Sequence, residues 1–315
     1  MTRWLAACRA RIALPLLQGR ALLRGRLQDR RLWRDGVAQR LWFDAPEGRV
    51  AATLRVPNAP HRVPAVVFVH GSHGPIGLDR VLSARLVGYG IAVLAIELPG
   101  FGRSPVPPAP WRPEQFTGQG AVEAAFVYLQ GHPRVDAGRI SLCGHSFGGS
   151  VAVTASLALP PLHTVIAIGP TRRLEERFLN GSAREGLQWL ARFSTARRLR
   201  PWATMEIVRA VSRMVGLEYQ VGAWQRPAHP PLLLIDGECE SQVDRQFLAV
   251  LTQAMTPPLA HRTLPASDHY LNTAGLGPYV LYDRRAVETC VQWIVEWIGR
   301  HPSRVAHALT VEAVR

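Results

Sequence analysis

The chain has 315 residues, 47% of them hydrophobic, and a formal net charge of +14 whose basic residues are all arginine. This length and hydrophobicity predict a globular protein with a sizeable core and exclude an intrinsically disordered chain. No apolar run approaches the length of a membrane-spanning helix. The basic residues are not interleaved with aromatic residues as in a nucleic-acid-binding module, so we expect no nucleic-acid partner.

The cysteines are widely separated and show neither the CxxC nor the Cys/His spacing of a metal or redox site. They are Cys8, Cys143, Cys239 and Cys290. We therefore expect free thiols in a reducing, cytoplasmic compartment and no metal site.

Residues 1–36 form a basic extension in which leucine, isoleucine and tryptophan alternate irregularly with arginine. Residues 1–40 hold ten arginines against Asp29 and Asp35. One interpretation is an amphipathic anchor on an anionic membrane surface. The other is a helical extension that packs on its own domain or on a second copy of the chain. The irregular apolar stripe favours the second interpretation.

From residue 37 the pattern changes to short apolar runs typical of strands. Leu41–Phe43 and Val50–Val56 flank a turn and predict a hairpin. Uninterrupted apolar runs follow at Ala65–Val69, Ile91–Ile96, Ile140–Cys143, Thr164–Ile168 and Leu232–Ile235. Helical spacing covers residues 114–130, 147–158 and 286–298. Continuous apolar strands between helices predict an α/β protein with a mostly parallel sheet covered on both faces.

Residues 171–229 interrupt the strand–helix alternation and predict a helical cap insertion over the sheet. Its aromatic residues include Trp189 and Trp224, which we expect to contact substrate. Its arginines either favour an anionic or medium-length acyl substrate or are simply solvated. Residues 301–315 form a weakly patterned tail.

The strongest motif is Gly144-His145-Ser146-Phe147-Gly148-Gly149, which follows a predicted buried strand and precedes a predicted helix. A serine at such a sharp turn projects its hydroxyl above the sheet, and flanking glycines avoid clashes with neighbouring backbone. The helix N-terminus adds partial positive charge beside a developing oxyanion. This context predicts that Ser146 is a nucleophile.

Four segments, including this motif, resemble the α/β-hydrolase superfamily, in particular the dienelactone hydrolase and prolyl-oligopeptidase-like branch. They are Phe68–Ser72, Glu97–Ser104, His132–Asp136 leading into the motif, and Ser267-Asp268-His269. The resemblance implies an α/β-hydrolase core over residues 37–170 and 230–300. It also implies a catalytic triad in the chain order serine, acid, histidine.

The resemblance places His269 as the base and Glu240 as the acid, at a position where the family usually has aspartate. Asp244 and Glu238 are fallback acids, and Asp236 is interpreted as structural. A serine needs an imidazole to take its proton, and the imidazole needs an acid to hold its tautomer.

By the same resemblance, the backbone N–H groups of Phe147 and Ser72 form the oxyanion hole, and His70 belongs to that loop. We expect His73 and His145 to contact substrate. Residues 100–104 lack the dinucleotide-binding pattern, so we expect no cofactor.

These residues predict a serine hydrolase that cleaves an ester, thioester or amide of a small-molecule acyl substrate through an acyl-enzyme. A thioesterase, cyclase or acyltransferase that passes the acyl group to an acceptor other than water would share the same site. An alternative of another class is a non-catalytic binding or scaffold protein on this fold, which the missing family aspartate favours and the intact Ser146 and His269 oppose.

Overall fold

The structure is a computed structural model in which residues 38–72, 74–75, 77–159, 162–179, 205–225, 229–256, 258–272 and 282–303 are described. The predicted N-terminal extension and nearly all of the predicted C-terminal tail lie outside these residues. Statements below refer to the described residues.

The strands form one eight-stranded sheet across the described residues. In chain order they are β1 (Ala38–Ala45), β2 (Gly48–Arg55), β3 (Val63–Val69), β4 (Ala92–Glu97), β5 (Val135–His145), β6 (Val165–Ile168), β7 (Leu232–Gly237) and β8 (Leu259–Leu264). In space the order is β1-β2-β4-β3-β5-β6-β7-β8. The β1–β2 and β2–β4 pairs are antiparallel, and every other pair is parallel.

Helices connect the parallel strands, and one more follows the last strand. They are α1 (Gly77–Gly88), α2 (Gln119–Gln130), α3 (Phe147–Ser156), α4 (Leu174–Leu179), α5 (Met205–Val215), α6 (Leu217–Trp224), α7 (Gln242–Ala254) and α8 (Arg284–Arg300). A 3-10 helical turn covers Pro113–Phe116.

The sheet separates two hydrophobic clusters, as expected for strands buried on both faces. Helices α2, α3, α5 and α7 contribute to one cluster, and α1 and α8 contribute to the other. Strands β6 and β7 are buried along their whole length. This arrangement confirms the predicted α/β class and the predicted hairpin at β1 and β2.

The helix predicted over residues 114–130 is divided in two. Gly118 interrupts it with a left-handed φ of 74°. A Cβ atom on Gly118 would lie 2.6 Å from a methyl carbon of Leu98, so a side chain here would also clash. The prediction of one continuous helix was therefore wrong at this glycine.

Within the predicted insertion, the described helices α4, α5 and α6 pack on the α/β core. Thr154 Oγ1 on α3 donates to the carbonyl of Val215 at 3.3 Å, which joins α5 to the core. Within the insertion, Leu174 N–H on α4 donates to Ser212 Oγ on α5 at 2.8 Å. Val208 and Val211 belong to the same hydrophobic cluster as α3. The division into core and cap stays a prediction.

Candidate active site

Ser146 stands alone between β5, which ends at His145, and α3, which begins at Phe147. Its φ of 58° and ψ of −124° are rare for a residue with a side chain. Its backbone N–H donates to the carbonyl of Ile168 at 2.8 Å, which ties the turn to the end of β6. Strain of this kind persists only where the surrounding structure enforces it, and it clusters at functional sites.

The glycines of the motif allow this turn. A Cβ atom on Gly144 would lie 2.0 Å from the carbonyl oxygen of Gly148. A Cβ atom on Gly148 would lie 2.2 Å from the carbonyl oxygen of Val69. Both contacts are with backbone atoms that cannot swing aside, so α3 packs this closely on β5 and β3 only with glycine at both positions.

His269 lies between the Ser146 hydroxyl and the Glu240 carboxylate. His269 Nε2 is 2.9 Å from Ser146 Oγ, and His269 Nδ1 is 3.1 Å from Glu240 Oε2. A carboxylate only accepts hydrogen bonds, so Nδ1 carries the proton and donates to Glu240. The other nitrogen of the neutral ring then accepts from the Ser146 hydroxyl. The structure thus brings together the three residues predicted from the sequence.

The site is shielded from solvent. Ser146 is 4% exposed and His269 is 9% exposed. The side chain of Glu240 is 4% exposed, and its second oxygen accepts from Gly237 N–H at 3.4 Å. Burial strengthens electrostatic interactions between these groups because water screens them less.

The other candidate acids have different partners. Glu238 Oε2 accepts from Ala266 N–H at 2.7 Å. Asp244 Oδ2 accepts from the Ser241 hydroxyl at 2.6 Å at the start of α7. Asp236 Oδ1 is 3.1 Å from His261 Nε2. Glu240 is the acid whose carboxylate lies within hydrogen-bonding distance of the His269 ring.

Gly169, at the end of β6, passes directly beside the Glu240–His269 pair. Its φ is 51°, and a Cβ atom there would lie 2.8 Å from Glu240 Oε1 and 2.9 Å from His269 Nδ1. Sequence reasoning missed this residue, although its position just after a buried strand was a usable signal.

His145 supports His269 from behind. A carbonyl only accepts, so His145 Nε2–H donates to the His269 backbone oxygen at 2.8 Å. His145 Nδ1 lies 3.8 Å from Asp79 Oδ1. His145 is 1% exposed. The prediction that it contacts substrate does not fit this position, because the side chain at the strand end turns into the protein.

The loop after β3 runs alongside the nucleophile. A Cβ atom on Gly71 would lie 3.0 Å from Ser146 Cβ, so the backbone that leads to Ser72 passes close to the serine. Phe147 begins α3 directly after Ser146. Both predicted oxyanion-hole residues therefore adjoin Ser146, one through Gly71 and one along the chain.

His70 holds this loop in place. Leu98 N–H donates to His70 Nε2 at 3.0 Å, so Nδ1 carries the proton and donates to the Gly71 carbonyl at 2.7 Å. Burial lowers the pKa of His70 to about 4, which keeps the ring neutral at pH 7. A neutral ring can make both hydrogen bonds, whereas a doubly protonated ring could not accept from Leu98.

Two further predicted substrate contacts, His73 and Trp189, lie outside the described residues. Trp224 is 1% exposed, belongs to the hydrophobic core, and packs against His229 with ring centroids 4.7 Å apart. The expectation that Trp224 lines a substrate pocket is therefore corrected: its indole fills the core beneath α6.

Within the described residues, no group of three or more histidine, cysteine, aspartate or glutamate side chains is arranged to hold a metal ion. None of the described helices is both long enough and apolar enough to cross a bilayer.

Parts of this sequence are similar to those of known proteins. Residues 66–312 match the sequence profile of the Alpha/beta hydrolase family. Acyl-coenzyme A thioesterase 1 of Rattus norvegicus is 33% identical over 122 residues, which are 39% of this chain and 27% of that protein. The chain therefore matches only about a quarter of the length of this relative.

Solved structures show the same fold at low sequence identity. A hyperthermophilic esterase from Pyrobaculum calidifontis superposes with a TM-score of 0.60, 17% identity and 92% coverage of each chain. A dienelactone hydrolase from Anabaena variabilis superposes with a TM-score of 0.51 and 16% identity, covering 84% of this chain and 99% of that one. From the profile match over most of its length, and in agreement with its fold, this chain belongs to the α/β-hydrolase family.

Proposed function

We propose that this protein is a serine hydrolase that cleaves an ester or thioester of a small acyl substrate, with Ser146, His269 and Glu240 as its catalytic triad. The observation that carries the proposal is the 2.9 Å separation of Ser146 Oγ and His269 Nε2, in a line that continues to Glu240. A serine hydroxyl is a weak nucleophile at neutral pH, and this arrangement is how proteins activate it.

In the first step, Ser146 Oγ attacks the substrate carbonyl carbon and His269 Nε2 takes the hydroxyl proton. Glu240 holds the ring in the required tautomer and stabilises the positive charge that forms on it. The carbonyl electrons move onto the oxygen. When they return, the bond to the leaving alcohol or thiol breaks, and His269 gives the proton to that leaving group.

In the second step, water replaces the leaving group. His269 removes a proton from the water, which attacks the acyl-enzyme carbonyl and releases the carboxylic acid and the Ser146 hydroxyl. The oxyanion forms in both steps beside the backbone of Phe147 and Ser72, whose N–H groups we assign as its donors. Loss of one such donor typically slows catalysis about a hundredfold or more.

The substrate class rests on two supports. The profile match places the chain in a hydrolase family. A relative over 122 residues is named as an acyl-coenzyme A thioesterase, so acyl thioesters belong in the first substrate panel. Simple esters and amides of the same acyl groups complete the panel. Transfer of the acyl group to an acceptor other than water stays an alternative, which product analysis distinguishes from hydrolysis.

Labelling with a fluorophosphonate probe tests the proposal, because the probe reacts with an activated serine. The folded wild-type protein is expected to be labelled, and Ser146→Ala is expected to lose the label. Ser303→Ala, outside the site, is the matched control and should label like wild type. Absence of label on folded wild type, or equal labelling of Ser146→Ala, would overturn the assignment of the nucleophile.

A further inference from the structure

A cavity lies against the sheet face that α1 covers. Its volume is about 280 Å³. Its floor is a cross-strand row in which Arg40 pairs with Thr53, Thr53 with Ala95, and Ala95 with Phe68. Paired residues on neighbouring strands point to the same face of a sheet, so this row faces the cavity as a unit.

The rest of the lining comes from α1 and from the loop after β4. Asp79, Arg80 and Ser83 on α1 form one wall, and Glu97 and Arg103 form another. Ser146, Glu240 and His269 are not among the described residues that line this cavity. The described lining is therefore separate from the proposed catalytic triad, and it includes His70 of the loop that runs beside Ser146.

The cavity is rich in positive charge. Four arginines line it, against the two carboxylates of Asp79 and Glu97. Glu97 is already paired with Arg103, whose Nε lies 2.8 Å from Glu97 Oε1. His70, which also lines the cavity, uses both ring nitrogens in hydrogen bonds to backbone groups. By formal charge, the described lining therefore carries two more positive than negative side chains.

Arg55 is the most unusual of these arginines. It sits on β2 two residues after Thr53 and so shares the cavity-facing side of the strand. It is only 4% exposed, at a strand position that would ordinarily carry a valine or isoleucine. Burying a guanidinium is costly unless anionic or polar partners compensate it. A residue that breaks the local pattern in this way marks a functional position more often than an ordinary one.

We infer that this cavity binds a small anion that contains a phosphate group. The guanidinium groups of Arg55, Arg40 and Arg80 hold this anion. A guanidinium presents five N–H donors in a planar fork, so one that already contacts a protein neighbour keeps donors for a ligand. Paired N–H donors match two oxygens of a phosphate, and several forks can surround its tetrahedral shape. A volume of about 280 Å³ is near the lower end for ligand sites and suits a phosphate group or pyrophosphate.

Titration calorimetry on the full-length protein at constant ionic strength tests the inference with three probes. These are inorganic phosphate, pyrophosphate and ribose 5-phosphate. One saturable site is expected for at least one of them. Tighter binding of ribose 5-phosphate supports a phosphate ester as the ligand, and tighter binding of the inorganic ions supports an inorganic anion.

Variants locate the site. Arg40→Gln and Arg80→Gln change exposed side chains and are each expected to weaken binding about tenfold, since a hydrogen bond to a charged group is lost. Arg55→Lys keeps the charge but loses the fork, and is expected to weaken binding as well. Arg209→Gln, an exposed arginine on α5 outside the cavity, removes the same charge and is expected to bind like wild type.

Ser146→Ala separates this inference from the proposed function, because it should abolish hydrolysis and leave anion binding unchanged. Absence of saturable binding to all three probes would overturn the inference. Equal weakening by Arg209→Gln would overturn it too, since that would show attraction to the overall charge of the protein. If Arg55→Lys fails to fold, the exposed Arg40 and Arg80 variants decide.

Discussion

The side chain of His145 holds the backbone of His269: His145 Nε2 lies 2.8 Å from the His269 carbonyl oxygen. His145 directly precedes Ser146, so the same strand end presents the nucleophile and fixes the loop that carries His269. The His145 and His269 rings also lie 5.1 Å apart between centroids. The distance between Ser146 and His269 is therefore set partly by a residue that contacts neither reacting atom.

We predict that His145 is a positioning residue whose loss lowers kcat and leaves KM nearly unchanged. His145→Ala removes the bond to the His269 carbonyl and should lower kcat about 10- to 100-fold, since small misplacements of a catalytic group have effects of this size. His145→Gln can place an amide N–H near the former Nε2 and should recover part of the loss. The measurement is kcat and KM on p-nitrophenyl esters. Equal loss in both variants would contradict a role in donating this hydrogen bond.

Gly169→Ala should disconnect Glu240 from His269 while the protein still folds. The new methyl group would lie within 3 Å of both Glu240 Oε1 and His269 Nδ1, and the φ of 51° disfavours any side chain. We expect kcat/KM to fall about a hundredfold or more, because the acid can no longer hold the ring. Circular dichroism and ester hydrolysis measure the two effects.

Gly222→Ala is the matched control for this glycine. Apart from its chain neighbours and the backbone of its own helix, no atom of the described residues lies within 4 Å of the position a Cβ atom would take, and the residue is in α6. Alanine in a helix is favoured over glycine by about 0.5–1 kcal/mol, so this variant should be fully active and slightly more stable. Normal activity in Gly169→Ala would show that the acid–histidine contact is not needed.

Glu240→Ala should lose far more turnover than Asp244→Ala. Removal of the triad acid typically lowers kcat about a thousandfold or more. Asp244 instead caps α7 with Ser241, so its loss should cost about 1 kcal/mol of stability with little effect on kcat. Steady-state kinetics and thermal unfolding on both variants decide the matter. The opposite ranking of kcat would identify Asp244 as the acid.

His70 should make the protein less stable in mild acid. Burial lowers its pKa to about 4 from an ordinary value of 6.5. Between these values the unfolded chain binds a proton that the folded protein does not, so the free energy of unfolding falls as pH falls. The part of the free energy of unfolding that depends on neutral His70 is fully present above pH 6.5. It decreases by up to about 3 kcal/mol towards pH 4.

Comparison of wild type with His70→Gln isolates this effect, because other titrating groups contribute to both proteins. The glutamine oxygen can still accept from Leu98 N–H and does not titrate. Denaturant unfolding from pH 7 to pH 4 should show the wild type losing stability more steeply than the variant. Parallel pH curves for the two proteins would mean that His70 is not held neutral by burial.

Some elements could be predicted because their own residues carry a strong signal. The strands β6 and β7 are buried on both faces, so they are continuous apolar runs. The helix α7 was not predicted: only Leu248 and Leu251 are buried, and Val243 and Val250 are exposed, which weakens the apolar stripe. Helix α1 was also missed.

The residues of the site differ in the same way in how far the sequence could predict them. Ser146 could be found from local sequence, because close backbone contacts require the glycines around it. His269 and Glu240 followed from the chain order of a resembling family, which carries the tertiary information indirectly. His145 was misassigned because its neighbour in sequence is the nucleophile, whereas its partners in space are the His269 carbonyl and Asp79.

By itself, the sequence determined the buried strands, the serine turn and the excess of arginine, because hydrophobic periodicity and glycine requirements are properties of neighbouring residues. Only the tertiary structure decided that His269 meets both Ser146 and Glu240, that Gly169 touches that pair, and that the arginines of β1, β2 and α1 share one cavity. These contacts join residues far apart in the chain, and sheet pairing and loop return set their distances.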